Sequence, residues 1–442
     1  MPGMLFVLLV LTVYADPLFT RRNFAGRDLV AYKLPMEKAI HDAYARRRLP
    51  VWMAEISGGR PLLPNPNAGA LYPVRPLLAP LPFALAMRVY PVLHWVAAGV
   101  GMIFLLRLIG VSRSSAWLGA VTYGFSGVVV SEVFFPHLHP GAALLPWILW
   151  QTHRAASGGP GRLVGLSVLL ALDFLSADVF TLLLAVLGAF LWILLETPAG
   201  DRPPALLRFG LALGLGGLLA APQIVATALW IPDTQRAVTG IPLEDALLYS
   251  LSPLRLLELV VPYPFGATWT GERPLIWATA VFHQKTQGLF STIYVGAFAV
   301  IGAAACRRGS RGVRFARVLL SLALGLSVLP SLVPRTWGKL SSPVALRSPE
   351  KFAVAVVFAL ALLAALGFEE FRRFRRPPVW TLPIAAVLCL LAASSALAPE
   401  VVGRAAVWLA GAGPELAPRA GRHLAGALAE AGLLWTASVL AL

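Results

Sequence analysis

Residues 4–20 read MLFVLLVLTVYADPLFT, and residues 23–73 read NFAGRDLVAYKLPMEKAIHDAYARRRLPVWMAEISGGRPLLPNPNAGALYP. The first stretch is long and apolar enough to enter a bilayer as a helix. The second is the first long polar segment of the chain, and it follows the apolar stretch almost at once. A single hydrophobic segment therefore holds this polar loop against a membrane surface.

The rest of the chain is strongly apolar. Of its 442 residues 58% are hydrophobic and 13% are charged, whereas soluble domains average roughly 45–50% and 25%. Its mean hydropathy is +0.74. We therefore expect an all-α polytopic membrane protein, a single transmembrane domain over residues 1–442 with about twelve spanning helices. The predicted spans are 4–20, 90–110, 116–131, 141–153, 163–177, 179–196, 206–230, 289–305, 315–333, 352–369, 379–398 and 424–442.

The net charge of +16 is compatible with nucleic-acid binding, but the arginine distribution favours another explanation. Arginines cluster in alternate short loops, as the positive-inside rule requires of cytoplasmic loops. This pattern predicts a cytoplasmic N-terminus and no nucleic-acid partner. It also predicts that the long loops lie outside: 21–89, 231–288, 334–351 and 399–423.

The N-terminus allows two interpretations. Residues 13–15 resemble a signal-peptidase site, but no basic segment precedes the apolar stretch. A retained first helix is favoured, and either interpretation puts the next loop outside. Within that loop, Pro35 to Arg48 carries apolar residues at helical spacing and predicts an amphipathic interfacial helix. Leu77 to Met87 is a second stretch that could lie flat on the membrane.

Asp28 is the first candidate catalytic residue. It lies eight residues beyond the first span, where an enzyme acting on lipid-linked substrates needs a carboxylate. Such a group can deprotonate a sugar hydroxyl that it contacts directly. The alternative is an exposed Asp that caps the next helix or pairs with Arg27. Asp16 is a rival position, which interface anchoring explains better.

Two short outer turns carry the secondary candidates. Glu132, His137 and His139 lie within eight residues and could bind a phosphate or, with less support, a divalent metal. The alternative is a polar turn whose histidines bond to backbone carbonyls. In the later turn, Asp178 is well placed to cap the sixth helix.

Arg347 and Lys351 lie just before the tenth predicted helix, with Pro349 placed in its first turn. Two cations at a helix N-terminus oppose the helix dipole, unless an anion such as a phosphate lies there. Contact with lipid headgroups is the alternative. The 231–288 loop adds Glu258 and Glu272 and a set of aromatic residues that could stack on sugars or form an interfacial belt: Tyr263, Phe265, Trp269, Trp277 and His283.

Cys306 and Cys389 occupy positions that favour neither a disulfide nor a zinc site. The sequence has no GxGxxG, GxxxxGK[ST], HExxH or GxSxG pattern, so nucleotide binding, zincin and serine-hydrolase activity have no support.

Several segments resemble YfhO-type bacterial membrane proteins, which belong to the GT-C superfamily of polyprenyl-phosphate-sugar-dependent glycosyltransferases. The matching residues of the first loop are Asp28, Leu49-Pro50-x-Trp52, Gly59-x-Pro61 and Tyr72-Pro73. Further similar segments are FSGVVVSEVFFPHLHPGAALLPW (125–147) and RSPEKF (347–352). Two features depart from the family. This chain has SADVF at 176–180 where a Gly-His-type motif is usual, and it stops at Leu442, whereas many members are much longer.

The resemblance implies a GT-C-like fold and a sugar donor on a polyprenyl phosphate, with a cell-envelope polymer or lipid as acceptor. Asp28 would be the base, attack would invert the anomeric centre, and Arg347, Lys351 and His137 would meet the leaving phosphate. A divalent metal is optional. The enzyme would lie in the bacterial cytoplasmic (inner) membrane with its active site outside. The alternatives are a transporter or flippase of lipid-linked glycans, or a catalytically inactive scaffold.

Overall fold

The computed structural model of the protein describes residues 2–56, 58–176, 178–240, 242–266, 277–282, 288–306, 311–334, 347–374 and 381–441. Three residues named above, Trp269, Glu272 and His283, lie outside these ranges. The described chain is helical apart from one two-stranded antiparallel ribbon, so the predicted all-α class is confirmed. It divides into two compact units. Unit 1 comprises Met1–Gly124 and Glu132–Gly240, and unit 2 comprises Phe125–Ser131 and Ile241–Leu442.

Unit 1 contains twelve described α-helices and the ribbon. Its helices are α1 (Pro2–Val13), α2 (Ala15–Phe19), α3 (Leu34–Ala45), α4 (Val74–Leu78), α5 (Phe83–Leu108), α6 (Arg113–Gly124), α8 (His139–Ala156), α9 (Pro160–Leu175), α10 (Val179–Glu196), α11 (Arg202–Leu219), α12 (Ala221–Trp230) and α13 (Gln235–Thr239). Its strands are β1 (Trp52–Met53) and β2 (Arg60–Pro61).

Unit 2 contains α7 (Gly127–Ser131), α14 (Leu243–Leu247), α15 (Ala297–Ala305), α16 (Val313–Leu332), α17 (Ala353–Phe374), α18 (Thr381–Leu397), α19 (Pro399–Leu409) and α20 (Ala417–Ala441). Short 3-10 helices at Pro253–Leu259 and Pro349–Phe352 connect them. The predicted span 289–305 is helical only from Ala297 onward. Backbone amides before Ala297 donate to side-chain carboxylates and not to the backbone carbonyls of a helix.

Three described helices are long and apolar enough to cross a membrane: Phe83–Leu108, Val313–Leu332 and Pro349–Arg372. They overlap the predicted spans 90–110, 315–333 and 352–369. The number rises to six if each of three bent helix pairs is one span. The count of twelve spans therefore stays a prediction, while the length and composition of these helices define a membrane protein.

Prolines explain two of the bends. The pair α11–α12 bends by 70° where Pro222 enters the first turn of α12, and α18–α19 bends by 112° at Pro399. Proline has no backbone N–H and cannot donate the hydrogen bond that would continue the preceding helix. As a result, residues 399–409 of a predicted loop form the amphipathic helix α19, which exposes Val401 and Trp408.

The first polar loop is folded and has a small core of its own. Helix α3 buries Met36 and Ile40 against Met53 of β1 and Leu62 just after β2. The ribbon pairs Trp52 with Pro61 and Met53 with Arg60. The amphipathic helix predicted over 35–48 is therefore present as α3.

Small residues let the helices approach closely, as in other membrane proteins. In unit 1, the fully buried Phe6 of α1 fills the space left by Gly99 of α5 and Gly124 of α6. In unit 2, α15 and α17 cross where Gly302 meets Gly367, whose Cβ position overlaps the Gly302 carbonyl.

Gly99→Ala should destabilise unit 1, because a Cβ at this position overlaps the Phe6 ring. Overpacking of this kind costs about 1–3 kcal/mol, which thermal unfolding of the purified protein would detect. Gly210→Ala in α11 is the matched control, since a Cβ there meets no atom within 4 Å. Equal unfolding temperatures for the two variants would contradict the packing of α1 against α5.

Candidate functional site

Residues 26–28 form a corner of the backbone that ends at Asp28, here called the Asp28 corner. Gly26 and Arg27 both have positive φ, 133° and 49°, and Leu29 N donates to Gly26 O at 3.2 Å. A left-handed conformation is uncommon for a residue such as arginine, and strain of this kind concentrates at functional sites. Asp28 is exposed and occupies the N-cap position, but its side chain makes no capping hydrogen bond. The capping role considered for Asp28 is therefore not observed.

A π-helical turn, Leu29–Lys33, follows Asp28 directly. Single π turns are rare and often occur at functional sites. Leu29 is buried, and the buried Lys33 donates from Nζ to Asn67 O at 3.1 Å. These contacts fix the backbone after Asp28 while leaving its carboxylate exposed.

Phe135 connects the Asp28 corner to the second turn. The Arg27 guanidinium lies over the buried Phe135 ring at 5.2 Å, and the His137 ring contacts the same ring edge-on at 6.2 Å between centroids. His137 is half-buried. The structure thus brings two predicted site segments, around Asp28 and His137, to one aromatic side chain.

Two neighbouring cavities border this region. One, of about 30 Å³, is lined by Glu37, Arg75, His41 and apolar residues of α3–α5. The other, of about 10 Å³, is lined among others by Leu29 and Pro136, the chain neighbours of Asp28 and His137. Met87 and Tyr90 line both. The corner therefore borders a small, mainly apolar space.

A chain of buried hydrogen bonds anchors the first loop to α5. His94 donates from Nδ1 to Tyr90 O at 2.7 Å, so Nε2 of the neutral ring accepts from the Tyr72 hydroxyl at 2.9 Å. Tyr90 donates to Pro136 O at 3.0 Å. Burial raises the pKa of Tyr72, which keeps it a donor. The sequence identified Tyr72-Pro73 but missed His94, a lone histidine inside an apolar helix.

The secondary candidates Glu132, His139 and Asp178 are all buried. His139 is 1% exposed and packs edge-on against Trp95 at 5.0 Å, and Glu132 is fully buried. Asp178 accepts from Thr181 N at 3.2 Å and caps α10, as the sequence favoured. Among the described residues, no three His, Cys, Asp or Glu side chains are grouped in a way that could hold a metal ion.

In unit 2, Arg347 lies just before the 3-10 turn Pro349–Phe352, which contains Lys351, and both cations are half-buried. Pro349 lies in its first turn, as predicted. Ser348 has a φ of 60°, a left-handed conformation, and Lys351 N donates to Ser348 O at 3.0 Å. The two cations therefore belong to one tight turn.

Between these cations, the fully buried Glu350 belongs to an ionic cluster that the sequence did not reveal. Arg255 donates from Nη1 to Glu350 at 2.5 Å, and from Nε and Nη2 to Glu258 at 2.7 and 2.9 Å. We call Arg255, Glu258 and Glu350 the Glu350 network. In the sequence, the only sign of this cluster was that Glu350 is an acidic residue between two cations at the start of an apolar helix.

This chain is similar to several solved structures but matches no known protein by sequence. The sequence matches no protein-family model, and no curated protein matches it significantly. Solved structures similar to it include an arabinofuranosyltransferase, AftD from Mycobacteria, at a TM-score of 0.47 and 17% identity over 84% of this chain. The chain spans only 24% of the length of AftD.

ArnT from Cupriavidus metallidurans is also similar. Its structure bound to undecaprenyl phosphate gives a TM-score of 0.49 at 15% identity, covering 99% of this chain and 76% of ArnT. The apo structure gives a TM-score of 0.48 at 14% identity. Likeness at this level assigns no activity, so the function of this membrane protein is argued below from its own residues.

Asp178→Ala should lower the free energy of unfolding by about 1 kcal/mol, because it removes the N-cap of α10. Asp178→Asn should leave stability unchanged, since asparagine caps equally well. Thermal unfolding of both variants would check this. If the asparagine variant is as unstable as the alanine variant, the negative charge of Asp178 rather than its capping bond is what matters.

Proposed function

We propose that this protein is a membrane glycosyltransferase of the GT-C type that resembles the YfhO-type proteins. It moves a sugar from a polyprenyl-phosphate donor to a cell-envelope polymer or lipid. The observation that carries the proposal is the exposed Asp28 carboxylate, which no helix cap uses and which follows a left-handed corner beside an apolar cavity. The resemblance of residues 26–35 and 49–73 to the first loop of those proteins supports the same role.

Asp28 acts as the general base in this proposal. A carboxylate that is exposed yet held by a fixed backbone can meet an acceptor hydroxyl directly, and positioned bases contribute roughly 10²- to 10⁴-fold to rate. The buried Leu29 and Lys33 fix the backbone on the far side of the corner. A general base must be held in position while its carboxylate oxygens stay open to the substrate.

The reaction is an in-line displacement with inversion. The acceptor oxygen attacks the anomeric carbon as its proton passes to Asp28. The bond between that carbon and the phosphate oxygen breaks, and its electron pair remains on the polyprenyl phosphate. Arg347, Lys351 and His137 stabilise this developing negative charge. Because the phosphate already leaves as a stable anion, the step needs no metal.

The proposal includes a location. The enzyme lies in the bacterial cytoplasmic membrane with its N-terminus inside, and the loops 21–89 and 231–288 of its single transmembrane domain face outward. The donor lipid enters from the bilayer, and nucleic acid has no role. The arginine clusters of the short loops support this orientation through the positive-inside rule.

One observation favours a transporter of lipid-linked glycans instead. Asp173 in α9 is fully buried, and a carboxylate buried inside a membrane helix is typical of ion-coupled pathways. A catalytically inactive scaffold is the third interpretation, supported by the SADVF segment in place of the usual motif. The base test below separates the enzyme from both.

Asp28→Asn should reduce sugar transfer roughly 10²- to 10⁴-fold, because an amide cannot accept the acceptor proton. The measurement is transfer of labelled sugar from polyprenyl-phosphate sugar to envelope material in membranes. Asp42→Asn is the matched control in the same loop, since partly exposed Asp42 pairs with Lys38 at 2.8 Å and should be dispensable.

If both variants transfer sugar at the wild-type rate, Asp28 is not the base. If wild-type membranes transfer no sugar while lipid-linked glycans cross them, the transporter is the better explanation. Neither activity in the wild-type protein would indicate the scaffold.

Arg347→Gln should weaken binding of polyprenyl monophosphate about 10- to 100-fold, since a hydrogen bond to a charged group contributes about 1.5–3 kcal/mol. Binding is measured on the full chain in nanodiscs, with uncharged polyprenol as the reference ligand. Arg404→Gln, at an exposed arginine of the same unit, is the control. Equal affinities for the two variants would remove Arg347 from the phosphate site.

A further inference from the structure

The apolar face of helix α3 is turned into the first loop and not toward a membrane. Met36 and Ile40 of this helix are buried against Met53 and Leu62. The face that would contact a bilayer in an interfacial helix is therefore used by the core of the loop. A second set of apolar residues, just after the helix, stays exposed. It belongs to residues 46–52, here called the 46–52 tip.

The 46–52 tip combines cations with exposed apolar side chains. It begins with Arg46–Arg48, which are exposed and form no ion pair with any described residue. Leu49, Val51 and Trp52 follow and are 62%, 51% and 57% exposed. Such a cluster is unfavourable in water, because hydration of apolar surface costs free energy. Cations beside an exposed indole are instead typical of residues at a membrane interface.

The backbone of the tip is fixed by the rest of the loop. Arg47 lies just beyond the end of α3 in a left-handed conformation, with a φ of 55°, where glycine is the usual residue. Val51 O accepts from Leu62 N at 2.8 Å. The Trp52 ring lies over Gly59, since a Cβ at that glycine would overlap it. The tip therefore presents its side chains on a defined surface, and it keeps an arginine at a position that disfavours one.

Hydrogen bonds place the tip beside a helix that faces lipid. Leu63 N donates to Val51 O at 3.3 Å, and Leu63 O accepts from Gln223 Nε2 of α12 at 2.7 Å. The pair α11–α12 is long and apolar enough to be one bent membrane span. Val225 and Leu229 of α12 are 55% and 75% exposed, and exposed apolar side chains of a span contact lipid. The tip is therefore next to a part of unit 1 that meets the bilayer.

The charge of the tip selects the kind of lipid. A cation near an anionic bilayer surface strengthens binding to it by about fivefold. An arginine also holds a phosphate through two parallel N–H bonds, which a lysine cannot do. Arg46–Arg48 carry three such groups in succession, and no described carboxylate neutralises them. Phospholipids with a net negative charge match this surface in both charge and hydrogen-bonding geometry.

We propose that the 46–52 tip docks on anionic phospholipids at the bilayer surface beside the first loop. Arg46–Arg48 bind the headgroup phosphates, and Leu49, Val51 and Trp52 lie in the interface. This contact holds the loop at a fixed depth against the membrane. The inference goes beyond the proposed function and does not depend on it, because it requires only a membrane protein.

The test measures the depth of a nitroxide label on the tip of the full chain in nanodiscs. Cys306→Ala and Cys389→Ala remove the native thiols, and Val51→Cys carries the label. In nanodiscs of mixed phosphatidylglycerol and phosphatidylcholine, the label should be accessible to oxygen and shielded from a water-soluble nickel reagent. In phosphatidylcholine alone it should move toward water. If Val51→Cys lowers the unfolding temperature, Leu49→Cys carries the label instead.

Two arginine variants test the role of charge. The double variant Arg46→Gln and Arg48→Gln should shift the equilibrium from docked to undocked tip by about 25-fold, about fivefold for each arginine. Arg47 is left in place because its backbone is left-handed. The matched control is Arg419→Gln and Arg422→Gln, at two exposed arginines of unit 2. It removes the same charge and should leave the label at its wild-type depth.

Three results would overturn the inference. A label that is accessible to water in every lipid would show that the tip is not docked. A label at the same depth in both lipids and in the variant Arg46→Gln and Arg48→Gln would show docking without anionic headgroups. A label shielded from both oxygen and the nickel reagent would indicate a protein partner, such as a second copy of this chain.

Discussion

Polar groups buried in an apolar chain must find their partners within the protein, and this constraint organises the whole structure. Water is absent from the membrane interior, so helices satisfy the backbone there. The few polar side chains that are buried need specific partners, because an unsatisfied group costs about 1–3 kcal/mol. The positions of these partners determine where the chain leaves regular helix and where its loops attach.

The first loop illustrates this. Its helices α3 and α4 are joined by a bidentate pair between Arg75 and Glu37, both buried. Tyr72 then attaches the loop to α5 through His94. These contacts make the loop a fixed structure. The exposed Asp28 therefore belongs to a loop with a fixed structure, which the catalytic role proposed for it would require.

The two most informative carboxylates show opposite uses of the same group. Glu350 is fully buried and accepts hydrogen bonds from an arginine and two backbone amides, whereas Asp28 is exposed and leaves its helix uncapped. The first is enclosed by the protein and has no exposed surface for a substrate. The second is held by its backbone alone, and its oxygens are available for chemistry.

The sequence by itself determined the helical class, the amphipathic helix now seen as α3, the three long apolar helices and the capping role of Asp178. Each follows from local hydrophobic spacing or from one residue beside a helix end, so neighbours in the chain carry the signal. It also selected Asp28, His137, Arg347 and Lys351 by residue type and position.

The sequence did not predict the break before Ala297, where backbone amides donate to the carboxylates of Glu258 and Glu350 and not to helix carbonyls. Only the tertiary structure decided that Phe135 joins Arg27 to His137, and that Arg255 pairs with Glu350, 95 residues away. Partners so distant in sequence leave no periodic pattern, because their contact depends on how the helices between them pack.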